Sequence, residues 1–128
     1  MESTNSGATQ QFTLIDPRQL ETFIVIGVVD FHDLLGDVIR DVPVHLEYIK
    51  SAIEMGNRAE LNSRAHSLRG MLAYFGCLAM TARLNQLEHQ TICSPDQAAT
   101  THTELLTLWH QSLAAIKEWE KSVPEFAS

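Results

Sequence analysis

Seven apolar residues, Phe31, Leu35, Val38, Val42, Leu46, Ile49 and Ile53, follow one another by steps of four and three without a break. Such spacing places all seven on one side of an α-helix about six turns long. A helix of that kind is stable only if its stripe is covered by other elements. Three further stripes supply the cover: Leu61, Ala65, Leu68, Leu72 and Phe75; then Cys77, Met80, Leu84 and Leu87; then Leu105, Trp109, Leu113 and Ile116. Four amphipathic helices with short connections predict an all-α fold, an antiparallel four-helix bundle. Pro43, inside the first stripe, removes one backbone hydrogen bond and is expected to kink or loosen the helix there.

Helix starts are marked by their caps. Asp16-Pro17-Arg18-Gln19 offers an N-cap, a proline at the first helical position and a capping-box partner, and Ser94-Pro95-Asp96-Gln97 repeats the design. Asn57 follows Gly56 as another cap, and Asp30 precedes the long stripe. Strand signals are confined to Phe23–Val29, which Gly27 interrupts. The segment Pro17–Ile26 therefore predicts a short additional N-terminal helix, lying as a lid across one end of the bundle. The expected division is a flexible segment at 1–12, the helical domain at 13–123 and a C-terminal tail at 124–128.

Composition narrows the function classes. The chain has 128 residues, enough for one domain with a single core. A net charge of −7 speaks against a nucleic-acid binder, which needs a basic patch. No apolar run has the length of a membrane span, and the Ser/Thr/Asn/Gln-rich start lacks the layout of a signal peptide. Cys77 and Cys93 have neither metal-site nor redox-motif spacing, so reduced thiols in a cytoplasmic protein are expected.

One histidine stands apart from the other five. In Arg64-Ala65-His66-Ser67-Leu68-Arg69-Gly70, the buried stripe centres between Ala65 and Leu68, which turns His66 roughly 140° away from it. Arg69 and Gly70, three and four places on, lie beside the ring. Glycine costs about 1 kcal/mol relative to alanine in a helix interior, so access to the histidine is a better reason for it than stability. Ser63 and Ala73 share that side, Asn62 flanks it towards the core, and Ser67 and Tyr74 border it on the other edge. A lightly furnished face of this kind suits docking by another protein. A neutral imidazole is a competent nucleophile near neutral pH, and Arg69 offers a permanent cation for phosphoryl oxygens. His32, His45, His89, His102 and His110 lack zinc-ligand spacing and are expected at surface or boundary positions. Phe75 is expected to pack, Gly76 to end the histidine helix through a left-handed cap, and Glu88 to serve helix-surface electrostatics.

The run His66-Ser67-Leu68-Arg69-Gly70, followed by Phe75-Gly76 and Leu87-Glu88, resembles the signature of histidine-containing phosphotransfer domains. The usual pattern is His-x-Leu-Lys-Gly, a further glycine near the helix end and a Leu-Glu pair about a dozen residues later. The resemblance extends upstream through Asp41-Val42-Pro43 and Ile53–Asn57, and covers roughly Ile15 to Lys121. Arg69 stands where lysine is commoner and keeps the charge. Met71 and Leu72 replace small residues and make the surroundings of the histidine more apolar.

The resemblance implies a phosphorelay intermediate that carries a phosphoryl group on His66 between receiver-domain aspartates. Arg69 and Gly70 would support that step, with Asn62, Ser63, Ser67, Ala73 and Tyr74 as docking contacts. The implied partners are the receiver domains of hybrid histidine kinases and of response regulators, with no nucleic acid, no membrane and a monomeric chain. No cofactor and no metal are expected in this chain; the acidic pocket and its metal ion would belong to the partner's receiver domain. The protein would be a phosphoryl carrier rather than a turnover enzyme. It has no Gly-rich nucleotide loop for an autokinase, and Ser67 stands where a kinase helix usually has an acidic residue. The alternatives are a phosphoacceptor module of a chemotaxis-type kinase and a non-catalytic adaptor docking on receiver or kinase domains.

Overall fold

The bundle closes because each long helix finds two neighbours for its apolar stripe. In the computed structural model, which describes residues 14–89 and 94–126, the order is α1 (Pro17–Leu20), α2 (Thr22–Ile26), α3 (Val28–Glu54), α4 (Arg58–Ala73), α5 (Leu78–His89) and α6 (Ala98–Ser122). Short 3₁₀ turns occupy Pro95–Gln97 and Pro124–Phe126, and no strand occurs among the described residues. Helix α4 packs on α3 and α5, and α6 packs on the same two, which makes the all-α four-helix bundle that the stripes predict. Antiparallel neighbours show in the cross-links: His32 near the start of α3 meets Glu120 near the end of α6, while Glu47 near the end of α3 meets His102 near the start of α6.

All seven residues of the α3 stripe are buried, and Ala52 joins them. Each large aliphatic side chain so placed contributes about 1.5–3 kcal/mol. The helix runs through Pro43, which sits on an exposed position, so the carbonyl one turn back that loses its donor lies on the wet side. The stripes of α4 and α5 are buried as expected. Helix α6 departs slightly from its pattern. Ser112 is buried and Leu113 only partly so, and the Ser112 hydroxyl has no hydrogen-bond partner among the described residues.

The N-terminal segment is helical as expected, with α1 and α2 parted only at Glu21, which keeps helical dihedrals. One part of the N-terminal reading needs correction: α3 starts at Val28, so that Asp30 lies in its first turn instead of capping it. The cause is Gly27, whose φ of 98° separates α2 from α3. The β-rich run Phe23–Val29 is helical because Phe23 stacks on Phe75 at 4.9 Å and meets Phe31 edge-on at 5.2 Å. Tertiary burial overrides a local strand preference here. The 124–128 tail is also corrected at its start. Phe126 is buried, stacked on Phe31 at 5.3 Å and edge-on to Trp119 at 5.7 Å. The expected flexible segment at 1–12 and Cys93 lie outside the described residues.

The other caps form at the expected residues, although the capping box read at Asp16–Gln19 is not among the bonds of the described residues. Asp16 accepts from the Arg18 backbone N–H at 3.0 Å, Asn57 from that of Glu60 at 3.1 Å, and Ser94 with Gln97 makes a capping box. At the far end of α4, Gly76 takes φ 63°. The N–H of Gly76 bonds the Ala73 carbonyl and that of Cys77 bonds the Leu72 carbonyl, the two bonds of a Schellman cap. The Gly76 carbonyl in turn accepts the Asp16 N–H at 2.7 Å, which ties the N-cap of α1 to the end of α4. A Cβ on Gly76 would stand 2.6 Å from the Asp16 carbonyl oxygen, whereas one on Gly70 would meet nothing within 4 Å.

The two glycines should therefore respond oppositely to alanine. Gly76→Ala combines a left-handed backbone with a backbone collision and should cost about 2 kcal/mol or more. Gly70→Ala should leave stability unchanged or raise it by up to about 1 kcal/mol. Urea unfolding of both variants checks this; equal midpoints would contradict the account of Gly76. In the same assay Phe126→Ala should lose about 2–3 kcal/mol, where a residue of a free tail would lose nothing.

Candidate functional site

Burial of Leu61, Ala65, Leu68 and Leu72 turns the opposite side of α4 to solvent, and His66 stands there with its side chain 72% exposed. Ser63, Ser67, Gly70, Ala73 and Tyr74 are exposed on α4 or at its C-cap, as expected, and Tyr74 is 70% exposed. Asn62 is partly buried, and its side-chain oxygen is enclosed without a partner among the described residues. It sits at the core boundary and offers less to a docking protein than its neighbours do.

The ring of His66 is held on one side only. Its Nδ1 lies 3.3 Å from Glu88 Oε1 and 3.1 Å from Arg69 Nη2. Arg69 itself grips Glu88 twice: Nε donates to Oε2 at 2.6 Å and Nη2 to Oε1 at 3.2 Å. Nδ1 can donate to the carboxylate or accept from the guanidinium, and the neutral ring cannot do both. Donation to Glu88 leaves the lone pair on Nε2, the outer nitrogen, which has no hydrogen-bond partner among the described residues.

Glu88 is the residue that sequence reasoning undervalued. Its side chain is 14% exposed and its carboxylate links α5 to α4 at the histidine. The hydrogen bond from Arg69 holds its pKa below the ordinary carboxylate range, opposed by partial burial and helped by the contact with His66. The available signal was the Leu87-Glu88 pair itself: Leu87 is buried, which turns the next residue to the edge of α5 facing α4. Arg69, expected beside the ring, touches it through Nη2 at Nδ1.

Two grooves flank the C-terminal half of α4. On the α3 side a largely apolar one of about 330 Å³ is lined by Phe23, Leu34, Met71, Tyr74 and neighbours, with Asp37 and Asp41 also in its wall. On the α5 side a groove of about 630 Å³ runs past Arg69, Ala73, Leu78, Ala79 and Ala82. Among the described residues no group of three or more His, Cys, Asp or Glu side chains is arranged to hold a metal ion. Cys77 is buried and its thiol is pushed up to about 12, which keeps it protonated and unreactive. No helix among the described residues is long and apolar enough to cross a membrane.

A helical bundle that presents one histidine beside an arginine–glutamate pair meets the description of a known family. The family model of the Hpt domain matches residues 33–119, most of the chain. The protein belongs to the Hpt domain family. Searches among curated proteins and among solved structures returned no match. Membership gives this Hpt domain a histidine-phosphotransfer role in two-component signalling. The matched span begins within α3 and ends within α6, so α1, α2 and the Phe126 turn lie outside it.

Because Glu88 is held more acidic in the folded chain, its stabilising effect is complete above the unfolded carboxylate value of about 4.5 and is lost as the pH falls through the lower folded value. Glu88→Gln should therefore remove part of the acid sensitivity of unfolding below about pH 4.5. Parallel stability curves for the two proteins across that range would refute this.

Proposed function

We propose that this Hpt domain is a phosphorelay intermediate and that His66 carries the phosphoryl group between receiver-domain aspartates. The observation that supports this most directly is the one-sided hold on an exposed ring: Nδ1 against Glu88, Nε2 without a hydrogen-bond partner among the described residues. With the Nδ1 proton donated to Glu88, the Nε2 lone pair attacks the phosphorus of a phosphoaspartate. A phosphorus–nitrogen bond forms, the bond from phosphorus to the aspartyl oxygen breaks, and the partner's carboxylate leaves. The ring becomes cationic, and its Nδ1 proton stays hydrogen-bonded to Glu88. Glu88 is thus a positioning residue that sets the tautomer. The reverse step hands the group to a second receiver.

Phosphoryl transfer depends on in-line placement and charge neutralisation more than on acid–base chemistry. The second guanidinium nitrogen of Arg69, Nη1, is unbonded among the described residues and is available to the phosphoryl oxygens. Gly70 leaves open space one turn beyond the histidine. Ser63, Ser67, Ala73 and Tyr74 surround the ring as docking contacts, with Asn62 at the margin. In this reading the receiver supplies the acidic pocket and its metal ion, and this chain supplies the nucleophile and one cation. The protein works in the cytoplasm and as a monomer.

Incubation with a phosphorylated receiver domain tests the reading. His66→Gln should abolish acid-labile labelling while leaving the helical circular dichroism unchanged, since an exposed substitution moves stability by no more than about 0.5 kcal/mol. Transfer from the receiver to His66→Gln at the wild-type rate would overturn the assignment, and receiver binding without any transfer to the wild type would make the protein an adaptor.

Rapid-mixing transfer assays separate the supporting roles. Arg69→Ala should slow transfer about tenfold or more, as expected for loss of a charge-assisted contact, and should weaken receiver binding less. Arg69→Lys should keep most of the rate. Gly70→Gln should impair transfer by crowding the ring, although Gly70→Ala does not harm the fold.

A further inference from the structure

Helix α3 carries a second copy of the spacing found around His66. His32-Asp33-Leu34-Leu35-Gly36 repeats His-x-Leu-x-Gly, with Leu34 exposed where Leu68 is buried, and a carboxylate and an open glycine again stand by the ring. The side chain of His32 is 52% exposed. A carboxylate from the neighbouring helix, Glu120 of α6, is itself only 21% exposed and is bonded to one ring nitrogen. Gly36 lies one turn beyond the histidine, and a Cβ there would meet nothing within 4 Å. Cations are nearby too, from α6 rather than from the same helix: Lys117 and Lys121, one turn apart, line the same groove as His32.

The two sites differ in two respects, and both bear on chemistry. Glu120 holds Nε2 rather than Nδ1. A carboxylate only accepts, so Nε2 carries the proton of the neutral ring and the lone pair lies on Nδ1. Furthermore, His66 stands on an exposed helix face, whereas His32 lines a groove of about 610 Å³ floored by Leu35 and Phe126. That is the size of a small-molecule site rather than of a domain footprint. In a chain of net charge −7 the groove carries two lysines against the one carboxylate of Glu120, a local excess of positive charge suited to an anion, although Lys121 also pairs with Glu118 at 3.4 Å. Lys117 has no ion-pair partner among the described residues.

We infer that His32 is a second phosphoryl-accepting histidine, served by a small acyl phosphate that enters the groove between α3 and α6. The Nδ1 lone pair attacks phosphorus, a phosphorus–nitrogen bond forms, and the bond from phosphorus to the acyl oxygen breaks. The carboxylate leaves to solvent. The Nε2 proton remains on the ring, shared with Glu120, and offsets the charge that develops there. Lys117 and Lys121 receive the phosphoryl oxygens. This site is independent of the receiver-dependent role of His66.

The test uses the full chain with His66→Gln, so that the first site is silent, and acetyl phosphate as the donor. Phosphorus NMR and tandem mass spectrometry at neutral pH read the product. The expected result is one acid-labile phosphoryl group on residue 32, with the resonance of an Nδ1 phosphohistidine. Adding His32→Gln should abolish it, adding Lys117→Gln should slow it severalfold, and adding His110→Gln should change nothing. The proposal is overturned by any of three outcomes: no phosphoryl uptake, label that survives His32→Gln on other histidines, or attachment at Nε2. Acetylation in place of phosphorylation would overturn it equally. Transfer from a receiver to wild-type His66 is measured separately, so failure here leaves that reading standing.

Discussion

Burial of one edge of α4 governs the rest of the molecule. Leu61, Ala65, Leu68 and Leu72 must face the core, and with 3.6 residues per turn the helix then has no freedom left about its axis. His66 is carried outward by that constraint, as are Ser63, Gly70 and Ala73. Arg69 and Asn62 are carried to the boundary with α5 by the same rotation. A reactive histidine placed in this way needs no loop and no hinge. Its position is as firm as the core beneath it, and a substitution that disturbed Leu68 would move the site without touching it.

The second layer of organisation is electrostatic and crosses between helices. Glu88 reaches from α5 to hold Arg69, and through Arg69 and its own Oε1 it holds the ring. Exposed ion pairs contribute little to stability. The value of this one lies in orientation, because a carboxylate gripped by a guanidinium cannot swing away from the imidazole. His45 provides a contrast. Its ring is partly buried between α3 and α4, its Nδ1 has no partner among the described residues, and burial followed by the nearby Arg64 lowers its basicity. A histidine in that setting resists charging and serves packing.

The third layer is the junction at Gly76, where the end of α4, the N-cap of α1 and the start of α5 meet. The short N-terminal helices are fastened there by the Asp16–Gly76 hydrogen bond and by the stack of Phe23 on Phe75. Phe31 extends the same aromatic cluster to Trp119 and Phe126, so both ends of the described chain are drawn onto one end of the bundle.

The sequence by itself determined the periodic features. Four stripes at helical spacing dictated a bundle, and the angle between His66 and the stripe beneath it dictated an exposed histidine, because both follow from the geometry of a single helix. Caps at Asp16, Asn57 and Ser94 were legible for the same reason: a cap is a contact among residues two or three apart. Tertiary structure alone decided what depends on residues far apart in the chain. Phe126 fell in the tail by its place in the sequence, and only the tertiary structure sets it against Phe31 and Trp119; the β-rich Phe23–Val29 gave no sign of Phe75, on which Phe23 stacks. Glu88 looked like a surface charge because its meaning lies 19 and 22 residues away, at Arg69 and His66. Only the packing of α5 on α4 brings those groups within hydrogen-bond reach, and no local spacing rule encodes the register of one helix against another.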